Sequence, residues 1–284
     1  MFNTALHWQI DTEVLEEIVD KSLSFWMPFS KEEFRSVITN CNNSSIPGLD
    51  KLSWSHFKTV LKYDDYLTNI INIANTCINL DYWPTYFKRS TIVVIPKFNK
   101  QLYNSPKSFR PIVLLNTLGK LIEKFIGKRL QFQVISNDFI HLSQLSSLKF
   151  KSTIDVDIAL IHIIHLGWVK NILTSTLAFN IAQFFPSLNH HLLTRILKKV
   201  ELDNCIVNFF ANYLVGRKTN YFWNNFTFPI FDANIEVGQG SALFPILSLS
   251  FSLYFRKLSK KSQYSCVYYF FCGWWSFHFS EQIT

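Results

Sequence analysis

Leu177-Ala178-Phe179-Asn180-Ile181-Ala182-Gln183-Phe184-Phe185-Pro186-Ser187-Leu188-Asn189-His190 is the stretch from which the fold can be read. An apolar run ends on one polar residue, Asn180. A small residue and two aromatics follow, then a proline turn, and His190–Val200 carries helical apolar spacing. This pattern predicts a strand that delivers Asn180 at its end, a turn and an amphipathic helix.

Toward the N-terminus, Thr12–Leu23 mixes acids and apolar residues and predicts an amphipathic helix that ends before Pro28. Ser30-Lys31-Glu32-Glu33 is a capping box, and Phe34, Val37, Ile38 and Cys41 form one apolar face behind it. Pro47-Gly48 breaks the chain, Ser53 caps the next helix, and Tyr66–Leu80 predicts a longer one. Ser90–Ile95 is β-branched and continuous between Pro84 and Pro96, which predicts a buried strand. Arg110–Leu115 leads into a helix capped by Asn116 that buries Leu118, Leu121, Ile122, Phe125 and Ile126 and turns Lys120, Lys124, Lys128 and Arg129 elsewhere.

Ser152–Gly167 predicts a helix with Ile154, Ile158, Ile161 and His165 on one face. His162 shares that helix but no carboxylate or cysteine joins the two imidazoles, so both are read as ordinary helix residues. Asn204–Leu214 is a further helix. Thr219–Trp223 and Phe226–Pro229 read as strands paired around Asn224-Asn225. Glu236–Ser241 is a glycine turn opening a helix through Leu258, an arrangement that brings backbone amides close to a ligand.

Charge is concentrated. The chain carries +8 overall, yet the segment from Lys88 to Arg129 holds Lys88, Arg89, Lys97, Lys100, Lys107, Arg110, Lys120, Lys124, Lys128 and Arg129 against a single acid, Glu123. The rest is close to neutral. Such a block points to a polyanion partner. The 5 cysteines make no CxxC pair and have no histidine at finger spacing, which argues against a zinc site and a disulfide framework. Met1–Ile10 lacks the cationic start and apolar core of a signal peptide. The apolar run Ala242–Phe255 is broken by Pro245 and falls short of the roughly twenty residues a membrane span needs. An intracellular setting, nucleus or cytoplasm, without a membrane partner is expected.

Taken in order, several of these segments resemble the reverse transcriptases of non-LTR retrotransposons. Ile46–Ser53 resembles their Pro-Gly-x-Asp segment, and Trp83-Pro84 to Lys97 the first fingers strands. Ser108-Phe109-Arg110-Pro111-Ile112-Val113-Leu114-Leu115, with Lys120, Glu123-Lys124 and Arg129-Leu130, resembles the fingers signature. Residues 177–190 resemble motif A, and Gly238-Gln239-Gly240-Ser241-Ala242-Leu243-Phe244-Pro245 resembles motif B.

The resemblance implies an α+β fold, the fingers and partial palm of a right-hand polymerase with the thumb missing. A helical N-terminal segment would occupy 1–45, fingers 46–170 and partial palm 171–284. It implies RNA-directed DNA synthesis in retrotransposition, with an RNA template and an RNA/DNA hybrid as partners and the other domains of the element's polyprotein missing. Lys97 and Arg110 would meet the incoming triphosphate, Phe185 would stack under the sugar, and Gln239 and Gly240 would lie against the nascent base pair and template. Lys120, Lys124, Lys128 and Arg129 would track template phosphates.

Family chemistry needs two Mg²⁺, held by an aspartate in motif A and an aspartate pair in motif C. Here Asn180 stands in the first position, and Phe271 and Cys272 stand where the pair belongs. The expectation is a reverse transcriptase by descent with no catalytic carboxylate intact and no Mg²⁺ bound. The alternatives are a non-catalytic RNA- or DNA-binding remnant, or a pseudogene product with no role. Tyr264–Phe279 is aromatic and without acidic or basic charge, and reads as an uncovered, aggregation-prone end. Shifting the frame by one base across 272–282 permits Val-Asp-Gly-Gly-Leu-Phe-Ile-Ser-Gln, so a tail from about residue 260 is read as out of frame.

Overall fold

The computed structural model describes residues 26–136, 151–180, 190–199, 202–233, 240–247, 266–271 and 274–282. The predicted helix at Thr12–Leu23 and the candidate residues Phe185, Gln239 and Cys272 lie outside these. The architecture is α+β, with a helical core, a small mixed sheet and a second, three-stranded sheet.

Helix starts follow local rules. In α1 (Lys31–Thr39) the Glu33 N–H donates to Ser30 Oγ at 3.3 Å and the Ser30 N–H donates to Glu33 Oε2 at 2.9 Å, which closes the expected capping box. Ser53 starts α2 (Trp54–Val60), and its N–H donates to His56 Nδ1 at 3.0 Å. The longer helix α3 (Asp64–Asn79) buries Leu67, Ile71, Ala74, Cys77 and Ile78, at the 3–4 spacing of one face.

Strand β1 (Arg89–Pro96) pairs antiparallel with β2 (Phe109–Leu115), Ile92 opposite Val113. The uninterrupted β-branched run predicted burial on both faces. Instead Ser90 and Ile92 are buried while Ile95 and Pro96 are exposed, because the sheet is covered on one side and at one end only.

Helix α4 (Thr117–Ser136) follows directly and buries Leu121, Ile122, Phe125 and Ile126; Leu118 is half-buried. Its start differs from expectation. Asn116 holds the cap position by backbone, its carbonyl accepting the Lys120 N–H at 2.9 Å. Its side chain is used elsewhere: Nδ2 donates to Tyr86 O at 2.8 Å and Oδ1 accepts the Asp50 N–H at 3.2 Å. The carboxylate that caps the helix is Asp50, whose Oδ2 accepts the Thr117 N–H at 2.6 Å and the Leu118 N–H at 3.4 Å. A carboxylate at this end also suits the helix dipole.

Helix α5 (Thr153–Val169) packs on strand β3 (Ile172–Asn180) and leaves Ile154, Ile158 and Ile161 exposed. Helices α6 (His190–Lys199) and α7 (Asn204–Leu214) return to the main core, where Leu193, Ile196, Phe209 and Phe210 join the faces of α1, α3 and α4. Phe34 stacks on Phe125 with ring centroids 3.5 Å apart, and Trp83 meets Phe209 edge-on at 5.7 Å. Truncating Phe34, which is fully buried, to Ala is expected to cost about 3–5 kcal/mol.

Strand β4 (Lys218–Trp223) pairs in parallel with β1, and antiparallel with β5 (Phe226–Thr227) and β6 (Phe231–Asp232). The predicted turn is present: Asn224 and Asn225 have φ of 47° and 60°, the left-handed pair that a two-residue hairpin requires. Residues 244–247 begin the helix expected after the glycine turn.

The C-terminal stretch is not a loose end. Strands β7 (Cys266–Phe271) and β8 (Trp274–Gln282) pair with each other, and β8 runs antiparallel along the whole of β3. The aromatic residues of both strands suit a pleated sheet. Pairing across β3 satisfies backbone groups that an uncovered tail would leave to solvent.

Candidate nucleotide and nucleic-acid site

The open end of the β1–β2 ribbon carries the two candidate triphosphate contacts. Arg110 is exposed and sits opposite Ile95. Lys97, two residues beyond Ile95, belongs to the same face. Its N–H donates to Ser108 O at 2.9 Å, and its Nζ donates to Lys107 O at 2.8 Å. Tyr103 Oη donates back to Lys97 O at 2.6 Å, so the loop between the strands is pinned.

Two glycine turns press on β2. A Cβ at Gly48 would lie 2.1 Å from Leu115 O, and one at Gly240 would lie 2.3 Å from Val113 O. Carbonyls two residues apart point to one edge of a strand, so Gly48 and Gly240 lie along the same edge of β2. Only glycine permits these approaches, and Gly240 also has φ +142°.

Glu123, the one acid in the basic block, is buried. Its Oε1 accepts the Tyr213 hydroxyl at 2.7 Å, and its Oε2 accepts the Ala242 N–H at 2.9 Å. Ser241 Oγ lies 3.1 Å from Tyr213 Oη and accepts the Leu243 N–H at 3.2 Å. The segment after Gly240 is thereby fixed to α4. Burial, and then the Glu123 charge, push the Tyr213 phenol well above its ordinary range, so it remains a donor. Sequence reasoning missed this role for Glu123. Its signal was an acid on the apolar side of an otherwise cationic helix.

Three of the four cations of α4, Lys124, Lys128 and Arg129, face the N-terminal helices and the segment before them. Arg129 Nε donates to Glu33 Oε1 at 2.7 Å, its Nη2 to Pro28 O at 2.7 Å and its Nη1 to Met27 O; its guanidinium lies 4.4 Å from the Phe29 ring centroid. The hydrogen bond from Arg129 holds the Glu33 carboxyl below its usual range. Lys128 Nζ donates to Ser36 Oγ at 2.8 Å, and Lys124 Nζ sits 5.5 Å from the Trp54 ring centroid. Lys120 is half-buried, and that burial lowers its pKa.

Strand β3 ends on Asn180. Asn180 pairs with Trp274, and Trp274 pairs with Phe271, so the three form one row across the second sheet. The hairpin expected to carry the motif C pair thus meets the end of the motif A strand. The residues in this row do not fit a pair of hard divalent ions, which take charged oxygen ligands. The acid on β8, Glu281, pairs with Leu173 at the other end of β3, about 23 Å away at strand rise. Among the described residues no group of three or more His, Cys, Asp or Glu is placed to hold a metal. His162 and His165 are both exposed, and His165 packs edge-on against Trp168. No described helix is long and apolar enough to cross a membrane.

No family model matches the chain. Curated proteins do. The "Probable RNA-directed DNA polymerase from transposon BS" of Drosophila melanogaster is 31% identical over 130 residues, 45% of this chain. The retrovirus-related Pol polyprotein from type-1 retrotransposable element R1 of Bradysia coprophila is 27% identical over 145 residues, 51% of this chain. The RNA-directed DNA polymerase from mobile element jockey of Drosophila melanogaster is 29% identical over 119 residues, 41% of this chain. The matched stretch spans only 14%, 14% and 13% of these relatives' own lengths. The class to which this sequence is related is therefore the RNA-directed DNA polymerases. Within that class the relationship, over a partial stretch of the chain, is to the reverse transcriptases of non-LTR retrotransposons.

Proposed function

We propose that this chain is a reverse transcriptase segment by descent that no longer polymerises and keeps a sequence-independent affinity for RNA/DNA hybrids. The observation that carries the reading is the row Asn180–Trp274–Phe271: Asn180 and Phe271, read as two of the carboxylate positions, share one row of the second sheet, and no acid stands in it. On this reading residues 46–170 are fingers and 171–284 a partial palm, working inside a cell on an RNA template. Lys97 and Arg110 keep a phosphate-facing position at the ribbon end, and Gly240 remains against β2. Phe185 and Gln239 keep their family roles at the sugar and the base pair. Mg²⁺ would supply the nucleophile activation and charge neutralisation of nucleotidyl transfer in the family, and no step is assigned to it here. Of the α4 cations, Arg129 is committed to Glu33; Lys128 is exposed and could exchange its Ser36 bond for a phosphate, and the half-buried Lys120 and Lys124 would add positive charge behind it.

The test is primer extension on a primed RNA template with Mg²⁺ or Mn²⁺, alongside hybrid binding at several salt concentrations. Incorporation should equal a heat-killed control, and affinity should fall steeply with salt. Replacing Lys120, Lys124 and Lys128 together should flatten that slope. Template-dependent incorporation overturns the inactive reading, and absent hybrid binding favours a product with no role.

A further inference from the structure

A row of aromatic rings crosses the outer end of the first sheet, on the face opposite Arg110. Tyr103 and Phe109 lie 5.7 Å apart by ring centroid, Phe109 and Trp223 lie 5.0 Å apart, Trp223 pairs across the strands with Phe226, and Phe226 meets Phe228 at 4.9 Å. Register places Phe109, Trp223 and Phe226 on one face. Among the described residues nothing covers this end of the sheet: Tyr103, Trp223, Phe226 and Phe228 are 45%, 39%, 59% and 45% exposed. The pinned loop that carries Tyr103 also carries Lys97, Lys100 and Lys107, and no acid occurs between Lys88 and Ile122; Asp232 lies opposite Lys218, at the far end of β4 from Trp223.

We infer that this face is a stacking platform for single-stranded nucleic acid, separate from the α4 cations proposed for hybrid binding. Exposed aromatics beside cations meet the two needs of an unpaired strand: every base has a π-face, and every phosphate a charge. A duplex hides its base faces and gains little from such a surface. A protein partner would need acidic complementarity to these lysines, and the patch itself would then serve as an ordinary apolar interface. The inference goes beyond the preceding reading and does not require it.

The experiment uses the full chain, a labelled oligo(dT) strand and a blunt RNA/DNA hybrid of equal length. The double variant Trp223→Ala/Phe226→Ala should weaken oligo(dT) binding about a hundredfold, near tenfold for each ring removed, and leave hybrid binding within about twofold. Trp223→Phe/Phe226→Tyr should restore oligo(dT) affinity, which a merely structural role for bulk at one position would not separate from hybrid binding. Oligo(dT) binding that is unchanged in the alanine pair sinks the proposal, and so does an alanine pair that dissolves a dimer without altering oligo(dT) affinity. Oligo(dT) binding lost in the pair, in a protein that never binds hybrid, supports the platform while removing the hybrid reading.

Discussion

Glu123 and Tyr213 meet at 2.7 Å inside the helical core, a carboxylate and a phenol with neither open to water. The second carboxylate oxygen takes the Ala242 N–H, so a single acid ties α4, α7 and the start of the helix at 244–247 together. Tyr213→Phe removes a donor to a charged, buried acceptor and should cost about 1.5–3 kcal/mol. Glu123→Ala should cost more, because it strands a hydroxyl and an amide at once. Urea unfolding checks both. An alkaline spectroscopic titration should find this phenol ionising after the surface tyrosines, as burial beside a carboxylate demands.

Acid should destabilise the fold in two windows. His190 is pushed down to about 4 by burial first, then by the Arg217 and His191 charges. Between its unfolded value of 6.5 and about 4 the unfolded chain binds a proton that the folded chain refuses, so stability falls as pH drops through that range. His190→Gln should remove this slope. Glu33 is held below 4.5 by Arg129, so its contribution is full above 4.5 and disappears as pH falls through the folded value. Arg129→Met should abolish this second, more acidic loss in a series of urea midpoints against pH.

Restoring one carboxylate should not restore polymerisation. Asn180→Asp returns charge to the end of β3, but its neighbours in the row remain Trp274 and Phe271. Primer extension by this variant is expected to stay at background with Mg²⁺ and with Mn²⁺. Incorporation by the single variant would mean that the missing ligands come from elsewhere.

Removing residues 266–284 should lower the soluble yield. Strand β8 pairs with all nine residues of β3, so its deletion leaves a strand of predominantly apolar and β-branched residues with an open edge. A higher yield after deletion would show that the hairpin contributes nothing to the folded chain.

The coding DNA offers an independent check on the tail. A shifted frame that hides Val-Asp requires TGT at Cys272, which gives the valine, followed by GGA at Gly273, which gives the aspartate. Any other glycine codon there removes the hidden aspartate and with it the frameshift account.

What was legible in the sequence was what is local. The box at Ser30 and Glu33 closes within one helical turn, and Asn224-Asn225 sets a hairpin by backbone preference alone. Long-range partnerships were not legible. Asp50 caps α4 from 67 residues away, and no spacing rule distinguishes it from Asn116 at the expected cap position. Arg129 looked free for phosphate because helical periodicity shows which residues leave the apolar face, not what they meet; Glu33 lies 96 residues away. For the candidate site, Arg110 and Asn180 lie on β2 and β3, while Lys97 follows β1 and Gly240 lies in a turn. Motif order was silent on the edge of β2 that joins two of the motifs through Gly48 and Gly240.

The parallel pairing of β1 with β4 sets a schedule for the ribosome. The Thr91 hydroxyl donates to Asn220 Oδ1 across that pairing, and 129 residues separate the two. At roughly 5–20 residues per second, the partner of β1 leaves the ribosome on the order of ten seconds after β1 and β2 can already form their hairpin. Through that interval the β-branched run Ser90–Ile95 offers a bare edge to any neighbouring nascent chain. Slower decoding between codons 97 and 217 would lengthen the exposure, so the yield of this chain depends on translation speed as well as on its final contacts.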